Sequence, residues 1–224
     1  MTQFRQGTRA VIFDLDGVIV DSEPLHQESF RLLLGELGIE ASAIGDWDRF
    51  VGTADRPVLL QLIEGRSVVP SVDALLERKG ALFLELLRQR EPIFPEIPAL
   101  VEDLARRYVM AVASGSLRTA IAGVLGMRGL RKHFQHAISV QDVARGKPAP
   151  DLFLRAAELL SVPPSDCVVI EDSAPGVAAA RAAGMRVIAI TNTTEAGRLA
   201  GADAVVGRFE EVRALLLGDL GDVR

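Results

Sequence analysis

The sequence is poor in cysteine and in aromatic residues. It has 224 residues, among them one cysteine, one tryptophan and one tyrosine, and aromatic residues make up 5% of the chain. A single cysteine cannot form an internal disulfide, which excludes the class of small disulfide-stabilised domains. Cys167 lies in the apolar run CVVIED. We therefore expect it to pack as a small hydrophobic side chain rather than to act as a reactive thiol.

The chain also lacks long hydrophobic runs and basic runs. No apolar stretch approaches the length of about 18 residues that indicates a membrane helix, and the N-terminal apolar run is too short for a signal peptide. The formal net charge is -5, and no run of lysines and arginines offers a surface for a polyanion. We expect a cytoplasmic monomer that binds a small molecule, with no nucleic-acid partner and no membrane partner.

Short apolar runs of strand length recur along the chain and alternate with helical patterns. Most are continuous rather than alternating, which is typical of strands buried on both faces of a sheet. Alternation of strands and helices predicts right-handed crossovers and an α/β fold with a doubly wound parallel sheet. The runs are Ala10–Phe13, Val109–Ser114, His136–Val140, Cys167–Glu171, Arg186–Thr191 and Asp203–Gly207, and the helical patterns between them are Leu117–Met127, Asp151–Leu160 and Ala174–Gly184.

The interval between the first two strands breaks this alternation. It contains no convincing strand and predicts helices near 24–38, 56–65 and 71–90, with Ser71 as a plausible N-cap of the last. We therefore predict two domains. Residues 1–20 and 94–224 form the α/β core, and residues 21–93 form an inserted helical domain.

Residues with chemical potential lie at the ends of four predicted strands. The carboxyl ends of parallel strands meet at one edge of a sheet, where ligands of such folds bind, so we expect these side chains to converge. For each residue alone, a surface loop or a helix cap is the simpler interpretation. The set comprises Asp14 and Asp16 after the first strand, Ser114 at the end of the second, Lys147 in the loop after the third, and Glu171 and Asp172 at the fourth.

Three converging carboxylates would repel one another without a cation. Hard oxygen ligands favour a divalent ion, most naturally Mg²⁺. A lysine and a hydroxyl beside such an ion have the charge pattern of a phosphate pocket. In this setting Asp14 could attack phosphorus to form an aspartyl-phosphate. Asp16 could protonate the leaving oxygen and then deprotonate water.

The segments DLDGVIVDSEP, ASGS, GKPAPD and VIEDSAPGVAAARAAG together resemble the four motifs of the haloacid dehalogenase superfamily, in order. The long helical insertion after the first strand is similar to the branch with a helical cap. The resemblance implies a Rossmann-like core, an Mg²⁺ cofactor and a small phosphorylated substrate. Within that branch, the chain is similar to β-phosphoglucomutase, sugar phosphatases and phosphoglycolate phosphatase.

The resemblance also implies a role for each matching position. Asp14 corresponds to the nucleophile and Asp16 to the general acid and base. The phosphate-binding groups would be Ser114, Gly115 and Lys147. The metal ligands would be Asp14, Asp16 through its carbonyl, Glu171 and Asp172.

Other functions fit the motifs less well. Family members that remove halide lack the second acid of the DxD motif, so Asp16 argues against dehalogenation. No G-x-G-x-x-G follows the first strand, which disfavours hydride transfer with a dinucleotide. A receiver-like signalling module would not contain the helical insertion. A non-catalytic binding protein stays open as a minor alternative, although every motif residue needed for turnover is present.

Within the family, the cap carries residues that select the substrate. Here the resemblance points to His26, Gly52, Thr53 and Lys79. The mutase has an arginine near this glycine that binds a second phosphate, and Asp55 falls at its place, with Arg56 next to it. An aspartate would repel a second phosphate. We therefore expect a phosphatase that acts on a small phosphorylated metabolite, with a β-phosphoglucomutase-type phosphotransferase as the alternative.

Overall fold

The computed structural model describes residues 4–50, 53–66 and 70–218. The chain divides into two compact units, one formed by Met1–Asp21 with Ile93–Arg224 and the other by Ser22–Pro92. We call them the core unit and the helical unit. No helix within the described residues combines the length and the apolar character that crossing a membrane requires.

The core unit contains a six-stranded sheet in which every pair of neighbouring strands is parallel. The strand order is β3-β2-β1-β4-β5-β6, so the chain winds outward from β1 in both directions. The predicted doubly wound parallel sheet is therefore confirmed. The strands are β1 (Ala10–Phe13), β2 (Val109–Ser114), β3 (His136–Ser139), β4 (Cys167–Glu171), β5 (Arg186–Ile190) and β6 (Ala204–Val206).

Burial explains why β1 occupies the centre. All four of its residues are buried, as a strand with neighbours on both edges and helices on both faces requires. Phe13 pairs with Val112 of β2 and Ile170 of β4, so the three strands end at nearly the same level. The backbone N–H of Asp14 donates to the Ile170 carbonyl at 2.9 Å. Asp14 thus extends the hydrogen-bonded ladder by one residue and is held rigidly beside β4.

Helices connect the strands and cover the sheet. One apolar cluster contains Phe153, Ala156 and Val177 from two of these helices, packed with Ile12 and Val169 from the sheet. Cys167 is part of the same cluster and is buried, and burial raises the pKa of its thiol to about 12. The helices of the core unit are α4 (Ile97–Ala105), α5 (Arg118–Gly126), α6 (Asp151–Leu160), α7 (Ala174–Ala182) and α8 (Phe209–Leu217).

The helical unit has its own apolar core. Phe30 and Leu34 of its first helix pack in one cluster with Leu59 of the second and Leu75 of the third. The third helix begins as predicted, because the Ser71 side chain accepts a hydrogen bond from the Ala74 backbone N–H. The helices are α1 (Glu23–Glu36), α2 (Asp55–Leu62) and α3 (Val72–Arg90), with short 3-10 helices at Ala41–Ile44 and Trp47–Phe50.

Candidate active site

Asp14 stands at the end of β1, at the edge of the sheet where the neighbouring strands also end. Its side chain is buried, and the Lys147 Nζ lies 2.5 Å from its Oδ1. Lys147 comes from the loop that precedes α6 and is itself 12% exposed. A buried carboxylate needs a paired charge. The lysine that the sequence places after the third strand supplies that charge to Asp14.

Glu171 is the second partner of Lys147. It is fully buried at the end of β4, and its Oε1 accepts from the Lys147 ammonium. Its Oε2 accepts from the backbone N–H groups of Asp172 and Ser173 and from the Ser173 hydroxyl. A Cβ on Gly176 would overlap the Glu171 carboxylate, so glycine leaves the space that this side chain fills. Glu171 is therefore fixed on both oxygens and holds Lys147 in position.

A cluster of three acids surrounds Lys147. Asp14, Glu171 and Asp172 are all buried and place one carboxylate oxygen each within 4.8 Å of the others. Hard oxygen atoms at this spacing fit a small divalent cation such as Mg²⁺. The cluster contains three carboxyl groups, and Lys147 pairs with two of them, Asp14 and Glu171, so this lysine alone does not balance their charge. The donor set fits a metal both in its chemistry and in its charge.

The pKa values of this cluster reflect the same imbalance. Burial raises the pKa of Asp14 well above its ordinary value, although the Lys147 charge opposes the shift. Burial, with the nearby charge of Glu171, also raises the pKa of Asp172 to about 7. For Lys147, burial would lower the pKa, but Asp14 and Glu171 outweigh burial and raise it. Lys147 is therefore an ammonium at neutral pH.

The side chain of Asp16 is bound elsewhere in the site. Its Oδ2 accepts a hydrogen bond from the Ser116 hydroxyl and lies 3.4 Å from the Ser114 hydroxyl. The Ser114 Oγ in turn accepts from the Ser116 backbone N–H at 3.0 Å. The structure thus brings the second acid of the DxD motif together with the segment Ser114–Ser116. The Asp16 carboxylate is not among the three carboxylates clustered around Lys147.

Three residues of this site had been given no functional role from the sequence. Ser116 binds the Asp16 carboxylate, Thr193 donates to Asp172, and Asn192 donates to the Gly17 carbonyl. Asn192 and Thr193 lie in the run TNTT that follows β5. The rule that singled out polar residues at strand ends applies equally to this strand. It would have found both residues had it been extended to β5.

The predicted substrate residues of the helical unit fall in different places. His26 of α1 and Lys79 of α3 are in contact, with the Lys79 Nζ 2.6 Å from the His26 Nδ1. Thr53 is exposed, and its backbone N–H donates to the Phe50 carbonyl. Gly52 lies outside the described residues. The structure therefore brings two of the predicted residues together.

Asp55 completes the group around Lys79. The Lys79 Nζ lies 2.8 and 2.9 Å from the two Asp55 carboxylate oxygens, and Lys79 is only 1% exposed. The same ammonium lies 4.8 Å from the ring centre of Phe30 and 5.3 Å from that of Phe83. Burial would raise the pKa of Asp55, but His26 and the Lys79 charge outweigh it and lower the pKa to about 2. We call Asp55, Lys79 and His26 the lysine cluster of the helical unit.

Several curated proteins are similar to this chain over most of its length. The fructose-1-phosphate phosphatase YqaB of Escherichia coli is 35% identical over 179 residues, which are 80% of this chain and 94% of YqaB. A phosphorylated carbohydrates phosphatase of Thermotoga maritima is 32% identical, over 92% of this chain and 97% of its own length. SUPPRESSOR OF QUENCHING 1, a chloroplastic protein of Arabidopsis thaliana, is 37% identical over 82% of this chain. The chain spans only 18% of that protein's length.

Solved structures share the fold across nearly the whole chain. CbbY of Rhodobacter sphaeroides, solved in complex with phosphate, superposes with a TM-score of 0.80 at 26% identity, over 92% of this chain and 96% of CbbY. The β-phosphoglucomutase of Clostridium difficile superposes with a TM-score of 0.75 at 26% identity, over 93% of this chain and 96% of the mutase. The similarity to both includes the helical insertion, since each comparison covers more than nine-tenths of the chain.

A protein-family model also matches most of the chain. Residues 8–184 match the model described as haloacid dehalogenase-like hydrolase. This range contains all four motifs and the helical unit. The chain therefore belongs to the haloacid dehalogenase-like hydrolase family.

Proposed function

We propose that this hydrolase is an Mg²⁺-dependent phosphatase of a small phosphorylated metabolite such as a sugar phosphate, acting through an aspartyl-phosphate. The observation that carries the proposal is the pairing of Asp14 with the Lys147 ammonium at 2.5 Å, inside a cluster of three buried acids. A phosphatase of this kind needs an ionised carboxylate close to an anionic ester. The Lys147 charge favours the ionised form of Asp14 against burial, and a bound cation would favour it further.

In the first step, an oxygen of Asp14 attacks phosphorus, and the bond to the leaving oxygen breaks. The Lys147 ammonium and the Ser114 hydroxyl bind the phosphoryl oxygens, with the backbone N–H of Gly115 as a further donor. Asp16, in its protonated form, donates its proton to the leaving alcohol. The product of this step is an aspartyl-phosphate on Asp14 and a free alcohol.

In the second step, water attacks the phosphoryl group of Asp14 while Asp16 accepts its proton. The bond to the Asp14 oxygen breaks, inorganic phosphate leaves, and Asp16 is protonated again for the next cycle. Asp14, Asp172 and the Asp16 carbonyl would hold Mg²⁺, whereas the expected ligand Glu171 has both carboxylate oxygens bound by Lys147 and by groups of Asp172 and Ser173. When bound, the ion supplies positive charge that offsets the negative charge of the phosphoryl oxygens. Glu171 holds Lys147 in place through both steps.

Two findings favour sugar phosphates as the substrate class. The curated relatives that match along most of their own length include phosphatases of fructose 1-phosphate and of phosphorylated carbohydrates. In the helical unit, Lys79 is neutralised by Asp55, which stands where the mutase has an arginine for a second phosphate. The proposed substrate residues His26, Gly52, Thr53 and Lys79 would then recognise hydroxyl groups rather than a second phosphate.

All of the proposed catalytic residues come from one chain. A monomer therefore suffices for the reaction, and the substrate is a free small molecule. The proposed compartment is the cytoplasm, without a nucleic-acid or membrane partner.

The test is Mg²⁺-dependent release of phosphate from p-nitrophenyl phosphate and from a panel of sugar phosphates. Wild type should turn over both, and Asp14→Asn should reduce kcat at least about 10³-fold, because the amide cannot attack phosphorus. Asp21→Asn is the matched control, since it makes the same change at an exposed acid of the same motif. Activity of Asp14→Asn equal to that of the control would refute the assignment of the nucleophile.

The mutase alternative is favoured by the similarity to β-phosphoglucomutase structures. It is separated from the phosphatase by incubation with β-glucose 1-phosphate and a trace of the glucose bisphosphate. A phosphatase releases inorganic phosphate and glucose. Formation of glucose 6-phosphate faster than inorganic phosphate would contradict our proposal and support the mutase.

A further inference from the structure

We propose that Asn192 and Thr193, in the loop after β5, are positioning residues that set the geometry of the metal site. This inference rests on the proposed function, because it assigns a role toward the Mg²⁺ of that reaction. Neither residue belongs to the four motifs that carry the family resemblance. Asn192 bonds to the turn that follows β1, and Thr193 bonds to the residue that follows β4.

Thr193 holds the carboxylate of Asp172. The Thr193 hydroxyl donates to the Asp172 Oδ2, and Asp172 is 4% exposed. The two residues meet because β4 and β5 are neighbours whose last residues are nearly in register, with Glu171 paired to Ala189. A hydrogen bond to one oxygen fixes the rotation of the carboxylate. The other oxygen therefore has a fixed direction as well.

Asn192 holds the turn that follows Asp16. Its Nδ2 donates to the Gly17 carbonyl at 2.7 Å, and the Gly17 N–H donates to the Val20 carbonyl at 2.8 Å. Gly17 has a φ of +73°, in the left-handed region that favours glycine. The turn carries the Asp16 carbonyl, which is a proposed metal ligand, so a bond to the next carbonyl restrains that ligand.

The hydrogen bonds made by Asn192 and Thr193 both lie close to Gly17. A Cβ on Gly17 would overlap the Asp172 carboxylate and would lie 2.9 Å from the Thr193 Cγ2. Gly17 thus leaves the space that the side chains of Asp172 and Thr193 occupy. Partners of this kind orient metal ligands without touching the metal, and their loss typically costs 10- to 100-fold in metal affinity or activity. One loop therefore fixes ligands from β1 and β4 together.

The central experiment replaces the Thr193 hydroxyl by a methyl group. Thr193→Val should raise the dissociation constant for Mn²⁺ about 10-fold, as measured by loss of the free-ion EPR signal in protein without substrate. The Mg²⁺ concentration for half-maximal hydrolysis of p-nitrophenyl phosphate should rise by the same factor. Thr193→Ser keeps the donor and should stay within about 2-fold of wild type.

Thr194→Val is the matched control, because it makes the same substitution one residue further along the same loop. It should leave the Mn²⁺ dissociation constant within about 2-fold of wild type. Asn192→Ala should raise the constant about 3-fold, since one neutral hydrogen bond is lost at an exposed side chain. Circular dichroism at the assay temperature checks that each variant is folded.

An Mn²⁺ affinity of folded Thr193→Val equal to that of Thr194→Val would overturn the inference. So would a wild-type protein that binds no Mn²⁺. Failure of the proposed function has a different signature, which is wild type that binds Mn²⁺ but hydrolyses no phosphate ester. The metal-binding measurements would then still decide the role of Thr193, because they use neither substrate nor turnover.

Discussion

Each unit of the molecule contains a lysine that is largely removed from water and paired with at least one carboxylate, and the two lysines differ in how their charge is balanced. In the core unit, Lys147 pairs with Asp14 and Glu171. In the helical unit, Lys79 pairs with Asp55 and contacts His26. Both ammonium groups also lie near aromatic rings, Lys147 at 5.1 Å from the ring centre of Phe153.

The difference lies in the number of acids and in their access to water. In the core unit, Asp14, Glu171 and Asp172 form a buried cluster of three acids, and Lys147 pairs with two of them, so the cluster has an acid in excess and fits a bound cation. Lys79 pairs with Asp55, whose side chain is 40% exposed. That pair is balanced by its own charges. The balance of charge thus distinguishes the acids around Lys147, which fit a metal ion, from the Lys79–Asp55 pair, in which one positive and one negative group offset each other.

The largest expected effect is on catalysis in the core unit. Lys147→Met should lower kcat for p-nitrophenyl phosphate about 10³-fold, because it removes the charge that we propose binds the phosphoryl group and that favours the ionised form of Asp14. Lys79→Met is the matched change in the helical unit and should leave this kcat within about 10-fold, since the nitrophenyl group has no sugar hydroxyls. Steady-state kinetics at saturating Mg²⁺ measure both. An equal decrease of kcat in the two variants would contradict the different roles expected for the two lysines.

The second effect is on stability in the helical unit. Asp55→Asn should lower the free energy of unfolding by about 2 kcal/mol, because it leaves a buried ammonium without its counter-charge. Lys79→Met should cost only about 1 kcal/mol, because the half-exposed Asp55 can be hydrated when its partner is lost. Urea denaturation at pH 7 measures both values. A larger loss in Lys79→Met would mean that packing of the lysine stem matters more than its charge.

A third effect separates the clusters by pH. The pKa of Asp172 is raised to about 7, so its protonated form is favoured in the folded, metal-free protein. Its contribution to stability is complete below pH 4 and is lost as pH rises toward 7, by at most about 1.4 kcal/mol per pH unit. In EDTA, Asp172→Asn should therefore be more stable than wild type at pH 8 and about equal to it at pH 4.

The contribution of Asp55 to stability changes with pH in the opposite direction. Its pKa is lowered to about 2, so its contribution is present above pH 4 and is lost as pH falls through 2. The stability difference between wild type and Asp55→Asn should thus shrink below pH 4, whereas the Asp172→Asn difference grows above it. Unfolding free energies at pH 3, 4, 6 and 8 compare the two. The same pH trend for both variants would contradict the contrast in charge balance.

The smallest effect is expected at an exposed ion pair next to Asp55. Arg56 pairs with Asp73, and their side chains are 54% and 80% exposed. Arg56→Ala should change the free energy of unfolding by no more than about 0.5 kcal/mol, because water and salt screen such pairs. A larger change would show that charge near α2 matters beyond the Lys79 pair.

The sequence predicted the core unit well because its strands are continuous apolar runs. The predicted limits of β1, β2 and β4 agree with the structure to the residue, and those of α6 do as well. Other predicted elements end slightly too late. The predicted helix 24–38 ends at Glu36, because Gly38 has a φ of +70° that no α-helix continues. The strand predicted to reach Thr191 ends at Ile190.

The site was less predictable than the fold. The positions of the strand ends and the motif resemblance predicted that Asp14, Lys147 and Asp172 would meet at one edge of the sheet. They did not indicate that Ser116 would bind Asp16, or that Asp55 would meet Lys79 from another helix. Such contacts depend on the direction of side chains across elements that are far apart in the chain.

The sequence by itself determined the α/β class, the doubly wound parallel sheet and the family, because these follow from apolar periodicity and from local motifs. Only the tertiary structure decided which charges are paired. The Glu171 carboxylate accepts hydrogen bonds from Lys147 and from the Asp172 backbone N–H, which precedes α7. Thr193, which follows β5, donates to Asp172 at the end of the neighbouring strand β4. The physical reason is that burial and distance set the energy of a charge. Both exist only once the chain has folded.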